Sequence, residues 1–162
     1  VILGTSRKHS STLEFVEAAL DGMRYNLVHL LDFEIAHYNY PGDYPSNDHF
    51  LTITDRMLKH QAIIFATPVY WYAMSGSMKV FFDRLTDLVT IRKDLGRKLK
   101  GKSTFLLAAG ADRQLPEGFE VPFRSTSAYF DMHYRLAAYH SVRFPTDMQS
   151  CSIFRDTVRQ HL

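Results

Sequence analysis

The 162 residues are 46% apolar and 14% aromatic, which excludes a disordered chain and suits closure around one core, so residues 1–162 are read as a single domain. Asp43, Asp55, Arg84 and similar residues interrupt every apolar run well before the ~18 residues that span a bilayer, so no membrane partner is expected. A formal net charge of +2 and a pI near 8.7 admit an anionic ligand but lack the clustered basic stripe of a nucleic-acid binder. One cysteine, Cys151, rules out an internal disulfide framework. With no basic-then-apolar leader at its front, the chain is expected in the cytoplasm.

Val1-Ile2-Leu3 reads as a first strand ending at Gly4. Leu13, Val16, Ala19, Leu20 and Met23 then recur at three- and four-residue steps, the mark of one buried helical face. Asn26 to Leu31 predicts a second strand, and Tyr38 to Asn47, carrying Pro41, Gly42, Pro45 and Ser46, a loop. Asp48 is the expected N-cap of a helix whose inner face is Phe50, Ile53, Met57 and Leu58. Ala62 to Ala66 is the third strand, ended by Pro68, which lacks an N–H and restricts Thr67 to extended geometry. A helix with Met78, Phe81, Phe82, Leu85 and Leu88 inward follows. Between Ile91 and Lys102, six basic residues (Arg92, Lys93, Arg97, Lys98, Lys100, Lys102) face the single acid Asp94. That stretch reads as a solvated loop, with steering of an anionic dinucleotide as the alternative. Thr104 to Ala109 runs into Gly110 as a fourth strand; a helix around Glu120 to Phe130, a fifth strand from Leu136 to Val142 and a helix from Ile153 to His161 complete the chain.

Strands alternating with helices predict an α/β fold, a doubly wound parallel sheet with helices on both faces. Ligands of such sheets gather outside the carboxyl ends of the strands. Three loops lie there: Thr5 to Thr12, Thr67 to Gly76, and Gly110 to Phe119. The first, Thr5-Ser6-Arg7-Lys8-His9-Ser10-Ser11-Thr12, places hydroxyls and backbone N–H groups at the positive end of a helix dipole, with Arg7 available for a charge-assisted bond. Ser11 or Thr12 alone would serve as a cap, and a cap does not need so many donors. The loop has neither Gly-x-Gly-x-x-Gly nor Gly-Lys-Ser/Thr, so a single terminal phosphate fits better than a pyrophosphate. His9 is expected to face solvent. The second loop sets Tyr70, Trp71 and Tyr72 side by side at a strand end, where a core can pack only some of them. A flat, amphipathic ring suits the remainder, and packing against a neighbouring helix or subunit is the alternative.

Gly4-Thr5-Ser6-Arg7-x-x-Ser10-x-Thr12 resembles the Gly-Ser-x-Arg-x-x-Ser-x-Thr phosphate loop of the NAD(P)H-dependent FMN reductase family of flavodoxin-like proteins, with Thr5 in place of serine. Pro68-Val69-Tyr70-Trp71-Tyr72, then Met74-Ser75-Gly76, Lys79 and Asp83-Arg84, is similar to that family's second block. Ala109-Gly110-Ala111 keeps one glycine of its third turn. The resemblance implies a five-stranded sheet in the order 2-1-3-4-5 and bound FMN. Cofactor-binding residues are then Thr5, Ser6, Arg7, Ser10, Ser11 and Thr12 at the phosphate. Pro68, Val69, Tyr70, Trp71, Tyr72, Met74, Ser75 and Gly110 are those at the ring. It also implies NADPH or NADH as hydride donor, with a quinone, flavin, azo or nitro compound as small-molecule acceptor. A homodimer or homotetramer is implied as well, for which Tyr38, Tyr40, Tyr44, Tyr129 and Tyr134 are available. Asp83 and Arg84 are expected to be a structural pair at the helix end or at a subunit contact. The flavin carries the chemistry, so no catalytic side chain is assigned. The histidines are dispersed, so no metal is expected, and Cys151 reads as a buried, neutral thiol. A flavodoxin-type electron carrier and a flavin-free regulatory domain are the competing readings; the first is disfavoured by the missing Thr-x-Thr-Gly-x-Thr and the lack of a strongly acidic surface.

Overall fold

A computed structural model describes residues 1–162. The strands are β1 (Ile2–Leu3), β2 (Val28–His29), β3 (Ala62–Pro68), β4 (Ser103–Gly110) and β5 (His133–Ser141). They form one parallel sheet in the order β2-β1-β3-β4-β5, the topology that the resemblance implied. The helices are α1 (Ser11–Ala19), α2 (Phe50–Leu58), α3 (Gly76–Arg84), α4 (Lys93–Gly96), α5 (Val121–Tyr129) and α6 (Met148–Arg159).

Period-two alternation in the central strands assigns the two faces. Ile63 and Phe65 of β3, with Leu106 and Ala108 of β4, pack with Phe50, Ile53, Phe81 and Phe123 of α2, α3 and α5. Ile64, Ala66, Phe105 and Leu107 turn the other way, onto Phe15, Val16 and Ala19 of α1 and Cys151, Phe154 and Val158 of α6. Cys151 is wholly buried, and burial pushes its thiol pKa up, as expected of an unreactive core residue.

Several boundaries differ from expectation for identifiable reasons. β2 stops at His29 rather than Leu31 because the Leu31 N–H is taken by His29 Nδ1 and the chain enters a 3-10 turn over Leu30–Asp32. α2 is preceded by His49, which makes no cap bond; Asp48 accepts from Phe50 N–H one residue earlier and is chiefly committed elsewhere. α6 begins at Met148, five residues before Ile153, because Asp147 caps it by accepting from Gln149 and Ser150 N–H. β5 begins at His133, where pairing to Ser103 is continuous apart from a shift at Thr104/Phe105.

The basic stretch is not a solvated loop. It holds α4 and a further 3-10 turn, buries Leu95 and Leu99, and packs Gly96 so closely that an added Cβ would lie 2.1 Å from the Leu88 carbonyl oxygen. Lys102 is buried and donates to the Leu58 and His60 carbonyls at 3.0 and 2.7 Å. Those carbonyls precede β3, and Lys102 precedes β4, so the stretch closes at the amino end of the sheet. That is the wrong end to steer a ligand to the three loops.

Candidate functional site at the carboxyl ends of the strands

The carboxyl ends of β1, β3 and β4 bring the three loops together. Ser75 is the fastener: its hydroxyl donates to the Gly4 carbonyl at 2.7 Å and accepts from Met78 N–H, capping α3 while binding the end of β1 to it. The approach is close enough that a Cβ on Gly4 would sit 2.8 Å from Met78 Cβ and 3.0 Å from its backbone nitrogen. Gly110 closes the third side, since a Cβ there would lie 3.1 Å from Val69 Cβ and 2.8 Å from the Tyr139 hydroxyl. Val69 N–H donates to the Ala109 carbonyl at 2.7 Å, so the third turn abuts the second loop.

In the first loop, Ser6, Arg7, Lys8 and His9 are exposed, while Thr5, Ser10 and Thr12 are buried. Ser10, rather than Ser11 or Thr12, caps α1, accepting from Leu13 N–H at 3.2 Å. The Thr5 hydroxyl donates to the Arg7 carbonyl at 2.8 Å, so it shapes the loop from within. Thr12 Oγ1 is different: the residue is 1% exposed and its hydroxyl has no hydrogen-bond partner. A buried hydroxyl left unpaired costs roughly 1–3 kcal/mol. It lies in the first turn of α1, where the backbone N–H groups have no intrahelical acceptors.

The second loop is a tight turn. Tyr70 and Ala73 exchange both backbone bonds, at 2.9 and 3.0 Å, and between them Trp71 (φ 48°) and Tyr72 (φ 64°) are left-handed. Neither is glycine, so the turn holds strain of the kind that collects at functional sites. The strain presents rings outward: Tyr70 is 46%, Trp71 92% and Tyr72 70% exposed. The Tyr70 hydroxyl meets Ser6 Oγ at 2.8 Å, bridging the two loops. Tyr72, Met74, Phe82 and Phe119 line a cleft of about 330 Å³ between the second and third loops.

Sequence reasoning missed two features. His29, at the end of β2, lies against the first loop with Nε2 3.1 Å from Thr5 Oγ1; a histidine in a strand carries no signal of such a contact. Arg84 is not paired with Asp83, which bonds Lys79. Arg84 is buried and bonds Asp48 at 2.7 and 3.1 Å and Asp87 at 2.8 Å, with its guanidinium 3.4 Å from the Tyr44 ring centroid. Tyr44 in turn donates to Asp87, and the Tyr134 hydroxyl donates to Glu120. Those two tyrosines therefore have internal roles, leaving Tyr40 and Tyr129 exposed.

Fold and motifs together define a flavodoxin-like flavoprotein. The chain belongs to the NADPH-dependent FMN reductase family, whose model matches residues 1–144. It is 29% identical over 128 residues to a protein of Bacillus subtilis (strain 168) provisionally named an NAD(P)H-dependent FMN-containing oxidoreductase, covering 75% of this chain and 71% of that one. Among solved structures it resembles the Trp repressor binding protein of Bacillus subtilis, with TM-score 0.74, 24% identity and coverage of 96% and 97%. It also resembles the FMN-dependent NADH-azoreductase of Bacillus anthracis in complex with FMN, with TM-score 0.65, 8% identity and coverage of 99% and 98%. Identities this low speak for the fold alone. Family membership makes the chain an FMN-dependent NAD(P)H oxidoreductase. No helix is long and apolar enough to cross a membrane.

Proposed function

We propose that residues 1–162 act as one FMN-binding domain that reduces small, flat acceptors at the expense of NADPH or NADH. Quinones, free flavins, azo compounds and nitroaromatics are the acceptors that an open cleft between the second and third loops would admit. Bound FMN supplies the redox chemistry, accepting hydride and releasing one or two electrons. This chain's residues bind and orient it.

The observation that carries the reading is the unpaired Thr12 hydroxyl. A phosphate oxygen at the start of α1 would accept from it and from the first-turn N–H groups, with Ser6, Ser10 and Ser11 adding hydroxyls and exposed Arg7 a charge. Thr5 supports the loop rather than touching the phosphate, since its hydroxyl already donates to Arg7. The backbone of Pro68, Val69 and Met74 and the rings of Tyr70, Trp71 and Tyr72 would flank the isoalloxazine, with Gly110 keeping the third turn clear of it. Ser75 holds the two loops in register through Gly4. Nicotinamide and acceptor would share the open face above the ring, as the chain has no second dinucleotide motif. Exposed Tyr40 and Tyr129 suit contacts within a homodimer or homotetramer.

The test compares FMN with riboflavin, which lacks the phosphate. Thr12→Val should leave the flavin-free fold as stable as before or slightly more so, because it removes an unsatisfied buried group. It should weaken FMN about tenfold and riboflavin little. Unchanged FMN affinity would move the phosphate out of this loop. Steady-state oxidation of NADPH by the purified protein with a benzoquinone, an azo dye and a nitroaromatic in turn then ranks the acceptors; no turnover with any of them would defeat the reductase reading.

A further inference from the structure

His29 ends β2 beneath the first loop, 6% exposed, with both ring nitrogens engaged. Nδ1 accepts from Leu31 N–H at 3.3 Å, which makes it the unprotonated nitrogen. Nε2 then carries the proton and faces Thr5 Oγ1 at 3.1 Å. Thr5 Oγ1 accepts that proton and donates its own to the Arg7 carbonyl at 2.8 Å. The direction of every bond is thereby fixed: Leu31 N–H to His29, His29 N–H to Thr5, Thr5 O–H to the Arg7 carbonyl.

The loop needs such an anchor. Ser6 to His9 are all exposed, so packing does little to set their conformation, whereas an anion cradle works only if its donors already converge. The end of β2 and the turn after it grip the loop at two points, His29 on Thr5 and Asp32 on Lys8. Burial first, and then the Lys8 ammonium, hold the His29 pKa below its usual value, although the Arg7 and Lys8 carbonyls pull the other way. The neutral ring that the bond sequence requires is therefore the form present near pH 7. A charged ring would set a second N–H against Leu31 N–H and break the sequence.

We propose that His29 is a positioning residue for the cofactor: its neutral imidazole holds Thr5, and through Thr5 the Arg7 carbonyl, so that the first loop is shaped for the FMN phosphate before FMN arrives. The inference rests on the reading that this loop takes the phosphate.

The experiment is a titration of FMN and, separately, riboflavin into the full chain and its variants, followed by quenching of flavin fluorescence, with thermal unfolding of each variant recorded. His29→Leu should weaken FMN about tenfold, the worth of one hydrogen bond, and riboflavin less than threefold. His29→Gln, which retains a side-chain N–H, should recover most of the loss. Thr5→Val should reproduce His29→Leu, and the double variant should be no worse than either, because both remove the same run of bonds. His29→Leu that binds FMN normally, that loses FMN and riboflavin equally, or that adds fully to Thr5→Val overturns the proposal. Should His29→Leu fail to fold, nitrogen NMR of the unaltered protein decides. A neutral Nε2–H ring at pH 7 whose signal moves with FMN but not with riboflavin supports the proposal, and an Nδ1–H or charged ring overturns it. If the unaltered chain binds riboflavin as tightly as FMN, the phosphate reading itself fails and this inference falls with it, a result that needs no variant to recognise.

Discussion

Arg84 shows what a single buried side chain does for the fold. Its guanidinium lies between the Tyr44 and Phe50 rings and bonds Asp48, Asp87 and the Ala36 carbonyl, so one residue of α3 secures the loop between β2 and α2. Removing one partner of a buried ion pair leaves an uncompensated charge, so Arg84→Met should cost ~3–5 kcal/mol by urea denaturation; a loss below ~1 kcal/mol would mean that water reaches the site. Asp48 adds a pH dependence to this cluster. Burial would raise its carboxyl pKa, but the bonds from Arg84 and from the Ala36 and Phe50 N–H groups outweigh burial and hold it below the usual carboxylate range. A depressed carboxylate contributes stability that is complete above the unfolded pKa, ~4 for Asp, and lost as pH falls through the folded value. Urea titrations between pH 3 and 6 should therefore show a steeper loss of stability in the unaltered protein than in Asp48→Asn, and equal slopes would remove Asp48 from the account. Asp83 and Arg84 are adjacent in sequence and look like a pair. On a helix, neighbours point about 100° apart, and only the partners at Asp48 and Asp87, one distant and one a helical turn on, reveal what Arg84 does.

At the scale of elements, the hydrophobic periodicity of α1, α2 and α3 was legible because each buries one stripe against the sheet. The short elements were not. β2 is cut to Val28–His29 by a side chain that competes for a backbone N–H, an event that periodicity does not encode. The stretch from Arg92 to Lys102 hides two short helices because Lys93, Arg97, Lys98 and Lys100 are exposed while Leu95 and Leu99 supply the apolar core contact. The Tyr70–Ala73 turn lay beyond sequence reasoning for the opposite reason, since Trp71 and Tyr72 are poor choices for left-handed positions. Three aromatics in a row marked the loop as a candidate site, and all three are exposed in the fold. Trp71→Gly should relieve ~0.5–1 kcal/mol of the turn's strain after the entropic cost of glycine, raising the melting temperature while weakening flavin binding. A lowered melting temperature would show that the ring packs against protein rather than ligand.

For the molecule as a whole, the loops that a parallel sheet presents at its carboxyl edge are the loops that meet, and that rule singled out the candidate site before any side chain was placed. What strand order could not supply was the fastening between them: Ser75 on Gly4, Tyr70 on Ser6, and Gly110 against Val69. These contacts join residues far apart in the chain, and only the fold brings them within a hydrogen bond of one another. The opposite, amino edge carries Lys102 as a structural tie to the Leu58 and His60 carbonyls, whereas the proposed place for nicotinamide and acceptor is the carboxyl edge. The reductase mechanism meets its most direct test in the visible absorbance of the FMN-loaded protein after anaerobic mixing with NADPH or NADH. It predicts that the flavin bands bleach within seconds with at least one donor and return when a quinone is added. Bands that persist with both donors would mean that the bound flavin receives no hydride at this site, contradicting the reductase mechanism.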